Sequence, residues 1–151
     1  MVRLRALSSK GLICSNCSRV ISLEYCFLIP SLSGKREIVN RLLKKELRSL
    51  VDGEGFNPGD IVVLSPFAFA RSWTSSPPSE LCNSIAVLDD SSPRKLNRNT
   101  IGFAQIGDFK GLESEVIVLV DMPRPGRSET LRSCQYVGMS WARALLSMVC
   151  C

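Results

Sequence analysis

The amino-acid sequence predicts an α/β fold, with a mostly parallel sheet flanked by helices. Short runs of almost continuous apolar residues recur along the chain, as expected for parallel strands that are buried on both faces. Segments with helical spacing alternate with these runs, which favours right-handed crossover connections between the strands. The 151 residues are enough for one domain with its own hydrophobic core.

The N-terminal third contains the most regular helical pattern of the chain. Residues 1–20 show no clear period, and the β-prone segment Val20–Pro30 is predicted to be a strand that ends at its proline. After a turn at Ser31–Gly34, apolar residues at i, i+4 and i+8 predict a helix from Lys35 to Val51. The basic residues of this helix fall largely outside its apolar stripe.

Four short apolar segments predict the strands that follow this helix. They are residues 60–66, 84–89, 100–106 and 116–121, and the segment 67–83 is at most weakly helical. A helix is predicted from Glu129 to about Leu145, followed by a final strand, Leu145–Cys151. We therefore expect a poorly defined N-terminal segment, residues 1–34, with at most an edge strand, and an α/β domain over residues 35–151.

Polar residues end three of the predicted strands. These residues are Ser65, Asp89 and Asp121. Ligands of parallel α/β sheets bind beyond the carboxyl ends of the strands, so the three residues are expected on the rim of a binding site.

The charge of the chain is unevenly distributed. Residues 1–50 carry 10 lysines and arginines against 3 acidic residues, a net charge of +7, whereas residues 51–151 carry 9 against 11, a net charge of −2. A basic N-terminal third can face phosphate backbones, and a solvated helix face explains it equally well. No apolar run reaches the roughly 18–20 residues that span a bilayer, and the N-terminus lacks a signal-like apolar segment. We expect a cytoplasmic protein without a membrane partner.

The chain contains seven cysteines and no histidine. The missing histidine excludes Ser-His-Asp and Cys-His catalysis. Cys14 and Cys17 have the spacing of a zinc-binding pair, with Cys26 as the nearest third ligand, but no second pair follows at zinc-site distance. We therefore predict no metal site and interpret these cysteines as buried or incidental thiols.

Two segments carry a resemblance to a known family. Phe109-Lys-Gly-Leu-Glu113, followed by the apolar run that ends at Asp121, resembles motif V of UvrD/Rep-like superfamily 1 DNA helicases. Tyr136-Val-Gly-Met-Ser-Trp-Ala-Arg143 and the apolar run after it resemble motif VI of the same family. The resemblance covers roughly residues 35–151, and it implies the C-terminal domain of these helicases, which is the second of two RecA-like domains.

The resemblance implies roles for five residues. In this family ATP binds between the two RecA-like domains, and Gly111, Glu113 and Arg143 would belong to the ATP-binding set. Glu113 would accept a hydrogen bond from the ribose, and Gly111 would lie near the phosphates. Gln105 and Lys110 would contact single-stranded DNA. A surface carboxylate at Glu113 and an ordinary turn glycine at Gly111 remain the alternative interpretations.

The sequence departs from the family at the residues that carry catalysis. It has no GxxxxGK[ST] loop, so ATP and Mg²⁺ are expected only if a first RecA-like domain is paired with this one, and no cofactor is expected for the chain alone. The arginine finger, which is worth about 10³–10⁵ in rate, aligns with Trp141, and an indole donates one neutral N–H. Arg143 lies two residues further on, and on a helix it would face another direction.

These observations predict the C-terminal motor domain of a UvrD/Rep-like helicase, as a fragment or a degenerate stand-alone copy, not competent for ATP hydrolysis alone. Its expected partners are single-stranded DNA and a separate N-terminal helicase domain. The alternative is a non-catalytic module that binds nucleic acid or a protein partner and derives from a helicase fold. A flavodoxin-like phosphate-binding domain would need a glycine-rich loop directly after an early strand, and the sequence has none.

Overall fold

The computed structural model describes residues 3–8, 11–13, 32–75, 85–88, 98–110, 112–122 and 139–149. Over these residues the chain forms an α/β fold with a seven-stranded sheet and one long helix. The strands are β1 (Arg3–Ser8), β2 (Gly11–Ile13), β3 (Ile61–Ser65), β4 (Ile85–Val87), β5 (Ile101–Gln105), β6 (Ser114–Leu119) and β7 (Ala142–Val149), and the helix is α1 (Leu32–Arg48). The α/β fold class predicted from the sequence is confirmed.

The sheet has the strand order β2-β1-β7-β6-β3-β5-β4. Every neighbouring pair is parallel except β1 and β2, which are antiparallel. In the centre of the sheet, Ile61 lies opposite Val116, and Ser65 lies opposite Gln105. The parallel strands therefore begin together at one end of the sheet, here called the amino end, and finish together at the other, the carboxyl end.

The central strands are apolar along their whole length because both of their faces are covered. All five residues of β3 are buried. One face packs against α1 and the turn that follows it, through Val39, Leu43, Leu47 and Leu50. The other face packs against the chain between β5 and β6, which contributes Ile106 and Phe109. Full burial of each such side chain stabilises the fold by about 1.5–3 kcal/mol. The apolar strands gain this stabilisation on both faces only because each face is covered by other residues.

The helix α1 ends in a tight reversal that delivers the chain to β3. It continues into one π-helical turn, Ser49–Gly53, and the N–H of Glu54 donates to the carbonyl of Ser49 at 3.0 Å. Gly55 then adopts φ +74°, a left-handed conformation that glycine accepts without steric cost. The predicted helix over residues 35–51 and the four predicted strands between residues 60 and 121 are confirmed, with their bounds shifted by a few residues.

The sheet also extends into the N-terminal segment. Residues 1–20 have no clear period, yet β1 is an interior strand between β7 and β2, and β2 lies at the edge. The strand predicted at Val20–Pro30 lies outside the described residues.

The prediction of a helix up to about Leu145 is wrong at its C-terminal end. Met139 and Ser140 are helical, and β7 already begins at Ala142. The segment Ala-Arg-Ala-Leu-Leu favours a helix locally. In the fold it pairs with β6 on one side and with β1 on the other, and this two-sided pairing overrides the local preference.

No helix in the described ranges is long and apolar enough to cross a membrane.

Candidate functional site

Two of the three predicted rim residues meet at the carboxyl end of the sheet. Ser65 ends β3, Asp121 follows β6, and the Ser65 Oγ donates to the Asp121 Oδ2 at 2.7 Å. The Ser72 Oγ donates to the same oxygen at 2.6 Å, and the N–H of Trp73 donates to Oδ1 at 3.3 Å. Asp89, the third predicted rim residue, lies outside the described residues.

The carboxylate of Asp121 is an anchor for the loop that follows β3. Ser65 and Ser72, which stand at the two ends of that loop, are completely buried, and the Ser65 Oγ also accepts from the N–H of Phe67 at 3.1 Å. Both carboxylate oxygens receive protein donors, so Asp121 organises the rim. Sequence reasoning missed Ser72, because a serine inside a Ser-rich loop gives no periodic signal.

Gln105 ends β5 at the same end of the sheet. Its side-chain Nε2 donates to the carbonyl of Pro66 at 3.2 Å, in the loop that Asp121 anchors. The N–H of the next residue, Ile106, donates to the carbonyl of Ser65 at 2.9 Å. The amide of Gln105 is half-buried and is held beside the loop after β3.

The connection between β5 and β6, residues 106–113, runs from the carboxyl end of the sheet to the amino end. Since both strands are parallel to β3, eight residues must cover the length of the sheet. Turn hydrogen bonds begin the connection, with the N–H of Phe109 donating to the carbonyl of Gln105 at 3.2 Å. Lys110 is exposed near its middle, and Gly111 lies outside the described residues.

At the amino end of the sheet, Arg143 lies between two carboxylates. Its Nε is 3.8 Å from Glu113 Oε2, and its Nη1 is 3.5 Å from Glu115 Oε1. All three side chains are largely exposed, so each ion pair contributes at most about 1 kcal/mol. The prediction that Arg143 lies on a helix is wrong, because the residue belongs to β7. Because Ala142 on β7 lies opposite Ser114 on β6, the next residue, Arg143, comes close to Glu113.

Trp141 packs against the connection between β5 and β6. Its ring contacts Phe109 edge to face, with ring centroids 5.6 Å apart and an interplanar angle of 62°. Phe109 is only 3% exposed, and Trp141 is half-buried against the same apolar cluster. The carbonyl of Trp141 accepts from the N–H of Ser114 at 3.2 Å. Residue 141, where the resemblance predicts the place of an arginine finger, thus holds a neutral ring packed against Phe109.

The five site residues taken from the resemblance divide between the two ends of the sheet. Gln105 lies at the carboxyl end, Glu113 and Arg143 lie together at the amino end, and Lys110 is on the connection between them. Gly111 is not among the described residues. Within the described ranges no group of three His, Cys, Asp or Glu side chains could hold a metal ion. Cys14, Cys17 and Cys26 lie outside those ranges.

The sheet, helix α1 and the connection between β5 and β6 form an α/β fold with a mostly parallel sheet, which a RecA-like architecture fits. A solved structure similar to this chain is the C-terminal domain of a possible DNA helicase from Lactobacillus plantarum WCFS1. The TM-score is 0.56 and the sequence identity is 16%, over 76% of this chain and 67% of that chain. The sequence matches no protein-family model and no curated protein. The likeness to a helicase C-terminal domain therefore applies to the fold.

Proposed function

We propose that this domain acts as the C-terminal motor half of a UvrD/Rep-like DNA helicase. In this role it contributes one side of an ATP site and a contact surface for single-stranded DNA, and it does not hydrolyse ATP alone. Glu113 and Arg143 would face a nucleotide whose phosphates are held by a separate first domain. Gln105 and Lys110 would contact DNA.

The observation that supports this proposal best is the course of residues 106–113. One short connection links Gln105 at the carboxyl end of the sheet to Glu113 at the amino end, with exposed Lys110 between them. Packed segments can carry coupling between distant sites, and a segment that reaches both ends of the sheet can link nucleotide binding to DNA movement. The helicase-like fold agrees with this arrangement.

The proposal is tested by the salt dependence of binding to a fluorescent oligothymidine, measured by anisotropy. We expect Lys110→Ala to weaken binding and to reduce the slope of log K against log salt by about 0.7, the share of one phosphate contact on a single strand. The matched control is Lys45→Ala, which removes an exposed lysine of α1 and should leave the slope unchanged.

The same measurement addresses the alternative function, a non-catalytic nucleic-acid-binding module. Exposed Arg41 and Lys45 on α1 favour that alternative. If Lys45→Ala lowers the slope and Lys110→Ala does not, the basic face of α1 carries the binding and the motor-domain proposal is wrong on this point. A salt-independent affinity would exclude phosphate contacts at either place.

A further inference from the structure

We propose that Trp141 is a positioning residue that fixes the connection between β5 and β6, and with it the side chain of Lys110. The consequence for DNA binding rests on the function proposed above, whereas the fixing of the connection does not.

The contacts of Trp141 lie on the sheet face opposite α1. Its ring meets the buried ring of Phe109 at 5.6 Å, and Leu112 and Met139 pack against the same apolar cluster. Aromatic pairs in this edge-to-face geometry add stability beyond the apolar area that they bury. Trp141 therefore holds the residue directly before Lys110.

Backbone hydrogen bonds tie down both ends of the connection. At its start, the N–H groups of Asp108 and Phe109 donate to the carbonyl of Gln105, at 3.0 and 3.2 Å. After its end, Ser114 donates its N–H to Trp141 and its hydroxyl to the carbonyl of Asp60 at 2.8 Å. Between these ends, the ring of Trp141, the residue directly before β7, contacts the ring of Phe109.

An arginine at residue 141 would not make this contact in the same way. Its guanidinium would have to leave water to lie against Phe109, Leu112 and Met139, and a desolvated charge without a partner is costly. The side chain would turn outward, and Phe109 would lose its neighbour. Restoring the family's arginine should therefore loosen the connection.

Limited digestion of the folded chain with trypsin, followed by mass spectrometry of the fragments, tests the proposal. We expect Trp141→Ala to increase cleavage after Lys110 about tenfold, because cleavage follows the population of the locally open state. Trp141→Arg adds a trypsin site of its own, so the initial rates of cleavage after Lys110 are compared, and they should match those of Trp141→Ala. Trp141→Phe, which keeps a ring against Phe109, should stay close to the wild-type rate.

The matched control is the other tryptophan, Trp73, which packs on the α1 face of the sheet. Trp73→Ala should increase cleavage after the neighbouring exposed Arg71 and leave Lys110 protected. If Trp141→Ala does not increase cleavage after Lys110, or increases cleavage after Arg71 and Lys110 equally, the ring contact does not fix the connection and the proposal is wrong. Unprotected Lys110 in Trp141→Phe would contradict it as well.

Oligothymidine affinity provides a second readout. We expect Trp141→Ala to lose affinity to the same extent as Lys110→Ala, and Trp141→Phe to retain it. Opening of the connection without any loss of affinity would overturn the positioning of Lys110. If the wild-type chain does not bind the oligonucleotide, the proposed function fails, and the digestion result still decides whether Trp141 fixes the connection.

Discussion

Asp121 has a backbone conformation that few residue types accept. Its φ of +57° lies in the left-handed region, where aspartate is tolerated better than most residues other than glycine. Three hydrogen bonds from Ser65, Ser72 and Trp73 hold it there. The sequence predicted Asp121 and Ser65 at the same rim from strand ends alone. The anchoring of the loop could not be predicted, because it depends on Ser72, whose position follows from the tertiary fold.

The anchoring role of Asp121 predicts a specific order of stability among its variants. Asp121→Ala should lower the free energy of unfolding by about 2–3 kcal/mol, because buried serine hydroxyls lose a charged acceptor. Asp121→Gly should lose less, since glycine accepts the positive φ. Urea unfolding measures both values. The control is Asp108→Ala, at an exposed turn, which should stay within about 0.5 kcal/mol of the wild type. Equal losses for Asp108→Ala and Asp121→Ala would contradict the anchoring role of Asp121.

At the scale of elements, α1 and β7 show where local sequence suffices and where it fails. The apolar spacing of α1 predicts its buried face, since Val39, Leu43 and Leu47 are all at most 2% exposed. The predicted helix from Glu129 to about Leu145 runs through residues 142–145, where the chain is a strand. The difference is that β7 lies between two strands, and pairing partners distant in sequence leave no local signal.

The buried face of α1 yields a prediction about stability. Leu47 packs against the sheet and is 1% exposed, so Leu47→Ala should cost about 2–5 kcal/mol through the lost contacts and the cavity. Leu42 is only partly buried against the same core, and Leu42→Ala should cost clearly less. Both are measured by urea denaturation. Similar losses at the two positions would show that the helix face is not oriented as described.

At the scale of the whole molecule, the parallel sheet divides the candidate site residues between its two ends. The α/β class followed from apolar runs that alternate with helical spacing, and the site residues came from short motifs. Glu113 comes before β6, whereas Gln105 ends β5 and Asp121 follows β6, which already places them at opposite ends of a parallel sheet. Arg143 was predicted on a helix, so its position beside Glu113 could not be foreseen. The contact of Arg143 with Glu113 depends on β6 and β7 being neighbours in the sheet, and the sequence does not give the strand order.

Two features of the sequence predict that this chain does not hydrolyse ATP. It carries no GxxxxGK[ST] loop, and residue 141 supplies no cation. With ATP, Mg²⁺ and single-stranded DNA, phosphate release measured by malachite green should not exceed the blank. Release that is reduced by Glu113→Gln, and not by the control Glu115→Gln, would mean that the chain hydrolyses ATP through Glu113. The proposal of an incompetent motor half would then be wrong.

The position of β1 has a consequence for how the protein is made. Arg3 pairs with Leu145, so β1 joins the rest of the parallel sheet through a strand that is synthesised much later. Until β7 is synthesised, β1 and β6 both lack the neighbour that lies between them. Contacts of such long sequence separation slow folding and expose strand edges in the meantime. The edges of β1 and β6 therefore stay without their common neighbour in the nascent chain until β7 has been made.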